Sequence, residues 1–198
     1  MPRSTRVITE AGLYHVVARG NNRQELFHEP EDYEIYLRFI LKMKSHYDFH
    51  LYHYCLMPNH VHLLLRFYEA EPFRKVMQRV NLAYAKRFRK RNHYVGHVFQ
   101  GRFKSFPVEG DSYLLECGRY IERNPVRARI VLHVADYRWS SAGVYLKGIP
   151  SSLITRNPLY QALGASDTER QARYGEYLST ERAYESMVDH AFLRNQRV

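Results

Sequence analysis

Apolar and polar positions alternate with a period of two through His60-Val61-His62-Leu63-Leu64-Leu65, which places His60, His62 and Leu64 on one face of a strand and Val61, Leu63 and Leu65 on the other. His50 to Met57 is a second run rich in aromatic and branched residues. Met57-Pro58-Asn59 separates the two, so His50 to Phe67 reads as a hairpin. Leu13 to Arg19 reads as an earlier strand, closed by the polar break Gly20-Asn21-Asn22-Arg23. Helical spacing takes over at Tyr33, Tyr36, Leu37, Ile40 and Leu41, predicting a helix over Glu31 to Lys44 with Pro30 and three acids near its start. Phe73, Val76, Met77, Val80, Tyr84 and Phe88 draw the apolar stripe of a second helix, Glu71 to Lys90. Gly101 to Val108 reads as a short strand that ends, or lies at an edge, where Pro107 falls. Asp111 is placed to cap a third helix, Ser112 to Arg123, with Leu114, Cys117 and Ile121 as its buried stripe. Pro125 disfavours helical geometry at Asn124 and predicts that this helix stops there.

The order strand, helix, hairpin, helix, strand, helix predicts an α+β fold: a ferredoxin-like antiparallel sheet with helices on one side. Beyond Val131 the signals weaken. Asp136 to Leu146 holds the lone Trp139 and reads as a short helix, Ile149-Pro150-Ser151-Ser152 as a boundary, and Thr168 to His190 as a modestly amphipathic helix. The expected division is therefore a domain over residues 1–148 and a C-terminal helical appendage over 149–198, whose role the pattern does not reveal.

Charge narrows the function classes. The 198 residues carry a formal charge of +10, which favours a polyanionic partner. From Pro72 to Val108 there is no acid, while Arg74, Lys75, Arg79, Lys86, Arg87, Arg89, Lys90, Arg91, Arg102 and Lys104 all fall inside. Such a run lacks the pairing that makes a basic helix merely soluble, and it points to nucleic-acid contact. No run is long enough to span a membrane, and the first residues lack the apolar stretch of a signal peptide. Cys55 and Cys117 are expected to be free thiols in a reducing cytoplasm.

Two imidazoles on one face of an otherwise apolar strand suggest part of a metal site. Further along, Tyr120 and Asn124 stand four residues apart, one above the other on a helix. With 17 tyrosines in the chain, spacing alone does not single out Tyr120. Of the other histidines, His53 is placed to support a ligand from behind. His15, His28, His46, His50, His93, His97, His133 and His190 carry no assignment.

The ordered set of phrases adds more than either pair. Met57-Pro58-Asn59-His60-Val61-His62 and Tyr120-Ile121-Glu122-Arg123-Asn124-Pro125-Val126-Arg127-Ala128 resemble the HUH single-tyrosine transposases, and within them the REP-associated tyrosine transposases. Tyr14-His15-Val16-Val17-Ala18-Arg19-Gly20-Asn21 and Gly101-Arg102-Phe103-Lys104-Ser105 fit that branch, so the resemblance runs over about residues 10 to 145. It implies a divalent ion, Mg²⁺ or Mn²⁺, held by His60, His62 and Asn124, with Tyr120 as nucleophile. It implies cleavage of single-stranded DNA beside a hairpin, here a palindromic repeat, through a 5′-phosphotyrosine, and rejoining by a second 3′-hydroxyl. Arg74 to Arg91 is the expected grip on the backbone, with Arg102 and Lys104 beyond it; Arg19, Asn21, Asn22 and Arg23 are candidates for contacts to the hairpin. A cytoplasmic, nucleoid-associated protein follows, as monomer or homodimer. Two alternatives remain open: a nickase of the same chemistry that starts replication or transfer, and a non-catalytic nucleic-acid-binding module of similar topology.

Overall fold

The computed structural model describes residues 12–180. Gly12–Arg19 forms β1, and Phe49–Met57 (β2) and His60–Phe67 (β3) form the expected hairpin about Pro58-Asn59. With Lys104–Pro107 as β4 they make a four-stranded sheet in the order β2-β3-β1-β4, its neighbouring strands antiparallel throughout. Pro107 closes the edge strand β4, where a missing N–H costs no ladder bond. A register shift between Leu51 and His53 inserts Tyr52 as an extra residue of β2. After it His53, Cys55 and Met57 stand opposite Leu64, His62 and His60.

Side-chain alternation divides the sheet between two cores. Tyr14, Val16, Ala18, Val61, Leu63 and Leu65 pack in one core with Tyr33, Tyr36 and Ile40 of α1 (Pro30–Lys44) and with Phe73, Val76, Val80 and Tyr84 of α2 (Ala70–Asn92). Burying each such side chain contributes about 1.5–3 kcal/mol. Leu13, Cys55, Met57 and Leu64 face the other way, against Leu114, Cys117, Tyr120 and Ile121 of α3 (Asp111–Arg127). The expectation of helices on one side therefore holds for α1 and α2 alone, because α3 covers the opposite face.

Two details of α3 differ from expectation. Its N-cap is Gly110, whose φ of 84° suits glycine, and Asp111 is already inside the helix. Pro125 also lies inside, two residues before the end. A proline there leaves the carbonyl of Ile121 without its usual N–H partner, and Nδ2 of Asn124 donates to that oxygen at 3.3 Å and to Tyr120 O at 2.8 Å. The side chain thus supplies the bond that the ring removes, and the helix carries on for another half turn.

The segment after α3 covers the outer edge of β2. Leu56 N donates to Trp139 O at 2.8 Å, Ser141 N to Tyr54 O at 3.0 Å and Thr155 N to Leu51 O at 2.9 Å, so the ladder groups of that edge are occupied. Trp139 stacks on Tyr33 with ring centroids 4.5 Å apart. The short helix expected over Asp136 to Leu146 is confined to α4 (Ala142–Lys147). After α5 (Pro158–Gln161) comes α6 (Asp167–Ser179), and the rest of the helix expected to reach His190 lies outside the described residues. Tyr145, Tyr160, Tyr174 and Leu178 join the core of the sheet. Among the described residues no helix is long and apolar enough to cross a membrane.

Candidate functional site

His60 and His62 leave the same face of β3 with ring centroids 4.8 Å apart and planes at 78°. Tyr120 reaches that face from α3, its ring centroid 6.0 Å from that of His62 and edge-on to it. Asn124 sits one turn further along α3, half-buried and tied to the carbonyl of Tyr120. The two histidines and the tyrosine predicted from sequence are therefore gathered on one face, with the asparagine on the adjoining turn.

The imidazoles of half-buried His60 and buried His62 are held neutral. Burial, with Arg19 nearby, lowers the pKa of His60 to about 4, and burial, with a proton disfavoured beside the other imidazoles, Arg19 and Arg127, pushes that of His62 well down. Nδ1 of His60 is 2.6 Å from Oδ1 of Asn59, which can only accept, so Nδ1 carries the proton and Nε2 keeps its lone pair. Nδ1 of His62 is 2.9 Å from Nε2 of His15, so its Nε2 is likewise on the ligand side of the ring. Nδ2 of Asn124 is committed to backbone carbonyls, which leaves the amide oxygen as the donor end. Two neutral imidazole nitrogens and an amide oxygen fit a divalent cation of the Mg²⁺ to Mn²⁺ type. Among the described residues no group of three or more His, Cys, Asp or Glu has metal-holding geometry, so a site here depends on the asparagine.

His15, left unassigned by its sequence context, belongs to this cluster. It is buried, its pKa lowered to about 3 by desolvation, and its ring is 5.1 Å from His62 and 5.7 Å from Tyr120. Alternation places it on one face with Val17 and Arg19, but only the β1–β3 register, which pairs Val17 with His62 and Arg19 with His60, brings it to the site. His53 does not support a ligand; its Nδ1 is 2.9 Å from Glu122 Oε1 on the far side of α3.

Cations rim the same face. Arg19 stands opposite His60, and Lys104 of β4 opposite Val17. The pKa of Lys104 is lowered by burial and by the charge of Arg19. The guanidinium of Arg127 lies 5.1 Å from the centre of the Tyr120 ring. Asn21, Asn22 and Arg23 form a short 3₁₀ turn beside Arg19, with Asn22 and Arg23 exposed and at positive φ.

The basic helix α2 is on the other face of the sheet, and its cations do not act alike. Acids outside the run neutralise part of it: Lys75 pairs with Glu71 at 2.6 Å and Arg87 with Glu31 at 3.1 Å, while Arg91 binds Glu29, Glu31 and Asp32. Arg79 lies over Tyr47, and Lys86 is exposed. Arg74, Arg89 and Arg102 line a groove of about 740 Å³ between α2 and residues 97–103, with Leu82, Phe99 and Phe103 as its apolar wall and no acid in its lining. The rim of this groove meets the site edge, since Asn21 N donates to Val98 O and Gln100 N to Arg19 O, both at 2.9 Å.

Comparison with known proteins identifies the family and the fold. The family model described as "Transposase IS200 like" matches residues 9–124, more than half of the chain. A REP-associated tyrosine transposase solved bound to a REP hairpin is similar over 85% of this chain and 93% of its own, with 19% identity and a TM-score of 0.62. A second structure, described as a transposase from Deinococcus radiodurans R1, is 18% identical over 62% of this chain and 97% of its own, at a TM-score of 0.40. No curated protein matches the sequence.

Proposed function

The chain belongs to the IS200-like transposase family, and from that membership we propose that it is a DNA strand transferase that cuts and rejoins single-stranded DNA beside a hairpin through Tyr120. The observation that carries this reading is the gathering of Tyr120, His60 and His62 on one face of the sheet, with the rings of Tyr120 and His62 6.0 Å apart. The shared fold of the transposase solved with a REP hairpin supports a palindromic repeat as substrate and a place in the REP-associated branch.

In this mechanism Tyr120 Oη attacks the scissile phosphorus, the bond to the 3′ oxygen breaks, and that oxygen leaves as a 3′-hydroxyl after taking up a proton. The product is a 5′-phosphotyrosine. A second 3′-hydroxyl reverses the step: its oxygen bonds to phosphorus, the tyrosyl oxygen leaves, and Tyr120 regains its proton. No bond energy is lost to water, so rejoining needs no nucleotide. The ordinary phenol pKa is about 10, so loss of the proton needs help. Arg19 and Arg127, beside Tyr120, favour the phenolate electrostatically. When Mg²⁺ or Mn²⁺ is held by His60, His62 and Asn124, it supplies Lewis-acid polarisation of the phosphate. Neutral ligands suit that task because they leave the cation's charge undiminished. Arg19 and Lys104 contact the phosphate on the site face, and Asn21 and Arg23 the hairpin beside it. Arg74, Arg89 and Arg102 hold flanking backbone in the groove, with Arg79 and Lys86 in support. Lys75 and Arg87 contribute less, because each already faces a carboxylate.

The test is a labelled hairpin oligonucleotide with an unpaired flank, incubated with Mn²⁺ and run under denaturing conditions. A covalent protein–DNA adduct is expected, absent in Tyr120→Phe and in His60→Ala, with hairpin binding retained in both. A second oligonucleotide joined to the first separates strand transfer from nicking. Binding without an adduct, indifferent to metal, would leave only the nucleic-acid-binding module.

A further inference from the structure

Helix α3 is buried on two faces. One carries Cys117, Tyr120 and Ile121 toward the sheet. The other carries Arg119, Glu122 and Arg123, all buried, toward the C-terminal segment. A fully buried carboxylate two residues from the proposed nucleophile needs a reason, since burying an ion pair gains little stability over apolar packing.

Glu122 holds three different parts of the chain at once. Its Oε1 accepts from His53 Nδ1 of β2 at 2.9 Å and from the Ser141 hydroxyl before α4, and its Oε2 accepts from the Tyr174 hydroxyl of α6 at 2.9 Å. The network continues outward. His53 Nε2 is 3.1 Å from Asn157 Nδ2, whose Oδ1 accepts from Leu159 N at 2.9 Å and so fixes the amide's orientation. The His53 ring lies flat on Tyr145, centroids 4.5 Å apart. Gly118 lets α3 come this close, because a Cβ there would sit 2.5 Å from His53 Nε2. On the same face Arg119 Nε donates to Tyr177 O at 2.9 Å, and Arg123 donates to Leu178 O, so two arginines of α3 cap the last carbonyls of α6.

We propose that Glu122 is a positioning residue, the centre of a polar clamp through which residues 140–180 fix the rotation of α3 and so aim Tyr120 and Asn124 at His60 and His62. Apolar packing alone permits a helix to roll; three hydrogen bonds from three elements to one carboxylate do not. The phenol oxygen stands roughly 9 Å from the helix axis, so a roll of about 15° moves it roughly 2 Å. Misplacement by about 1 Å can cost on the order of 100-fold in rate. Residues 140–180 are then a working part of the site, acting through α3 rather than on the reacting atoms. This inference rests on the strand-transfer reading above.

Tyr174→Phe removes one hydroxyl from the clamp and nothing else, Gly118→Ala presses a methyl on His53, and Glu122→Gln turns one acceptor into a donor. Each is assayed by single-turnover adduct formation at saturating hairpin and Mn²⁺, by hairpin affinity, and by thermal unfolding. The expected result for Tyr174→Phe is a hairpin affinity within about twofold of wild type and an adduct rate at saturation lower by about tenfold or more, at a temperature well below unfolding. An unchanged rate at saturation in folded Tyr174→Phe and Gly118→Ala overturns the proposal, as does a rate that falls only in proportion to affinity or to the folded fraction. A wild-type protein that makes no adduct sinks the strand-transfer reading instead. The clamp is then still tested by the ¹⁹F resonance of 3-fluorotyrosine at position 120. A shifted or broadened line in Tyr174→Phe supports it, and an unaltered one overturns it.

Discussion

His15 Nε2 lies 2.9 Å from His62 Nδ1, two buried imidazoles joined diagonally across β1 and β3. One ring must donate and the other accept, and with both neutral the bond selects a tautomer. If His62 donates from Nδ1, its Nε2 is the lone-pair nitrogen that a cation needs. His15 thus orients a proposed ligand without being one.

His15→Ala is therefore expected to weaken Mn²⁺ binding by about 10–100-fold while leaving hairpin affinity intact. His15→Gln, which can still accept from His62, is expected to recover part of the loss. Calorimetric titration of Mn²⁺ into the DNA-free protein checks both, independently of cleavage. Equal Mn²⁺ affinity in His15→Ala and wild type would remove His15 from the site.

What the sequence could and could not disclose follows from the range of each interaction. The alternation through His60 and His62, the hairpin break at Pro58-Asn59 and the stripe of α2 are local periodicities, and each appears in the structure within a few residues of its expected bounds. His15 joins the site only through strand register, which its own neighbours do not encode. The acid-free stretch from Pro72 to Val108 is a true property of the chain. It nevertheless overstated the free charge, because Glu29 before α1 and Glu31 and Asp32 in its first turn reach across to Arg87 and Arg91. The second buried face of α3 was hidden for a similar reason: Arg119, Glu122 and Arg123 carry no local sign of burial, and their partners come from β2, the approach to α4, and α6.

That distribution of ion pairs separates the cations by function. Replacing Arg74, Arg89 and Arg102 with alanine is expected to weaken binding of single-stranded flanks and to reduce the slope of log K against log salt by about 0.7 for each phosphate no longer neutralised. Lys75→Ala and Arg87→Ala are expected to change the slope much less. Filter binding of a hairpin with and without its unpaired flank, across a salt series, measures the difference. Equal slopes for the two sets would mean that the groove does not follow the backbone.

Cys55 and Cys117 are not joined in a disulfide and are fully buried, and burial beside Glu122 pushes the Cys55 thiol well up. Neither sulfur is accessible to an alkylating agent in the native state. Mass spectrometry after iodoacetamide at neutral pH is expected to find both unmodified until denaturant is added. Labelling of Cys117 in folded Tyr174→Phe but not in wild type would indicate that α3 has loosened.

Asn124 has an observed bond and a proposed ligand role that a double substitution can separate. Its Nδ2 replaces the N–H that Pro125 lacks, and its oxygen is the proposed third ligand. Asn124→Ala loses both: the carbonyl of Ile121 is left without a donor, at a cost of about 1 kcal/mol or more, which lowers Tm by roughly 2–4 °C for a chain of this size. In that background Pro125→Ala restores a backbone N–H to the same carbonyl and is expected to raise Tm by a similar amount. The pair Asn124→Ala with Pro125→Ala should then regain wild-type stability yet form no adduct at any Mn²⁺ concentration that saturates the wild type. If the double variant recovered cleavage together with stability, Asn124 would be a helix-repair residue alone, and the cation would have to be held without it.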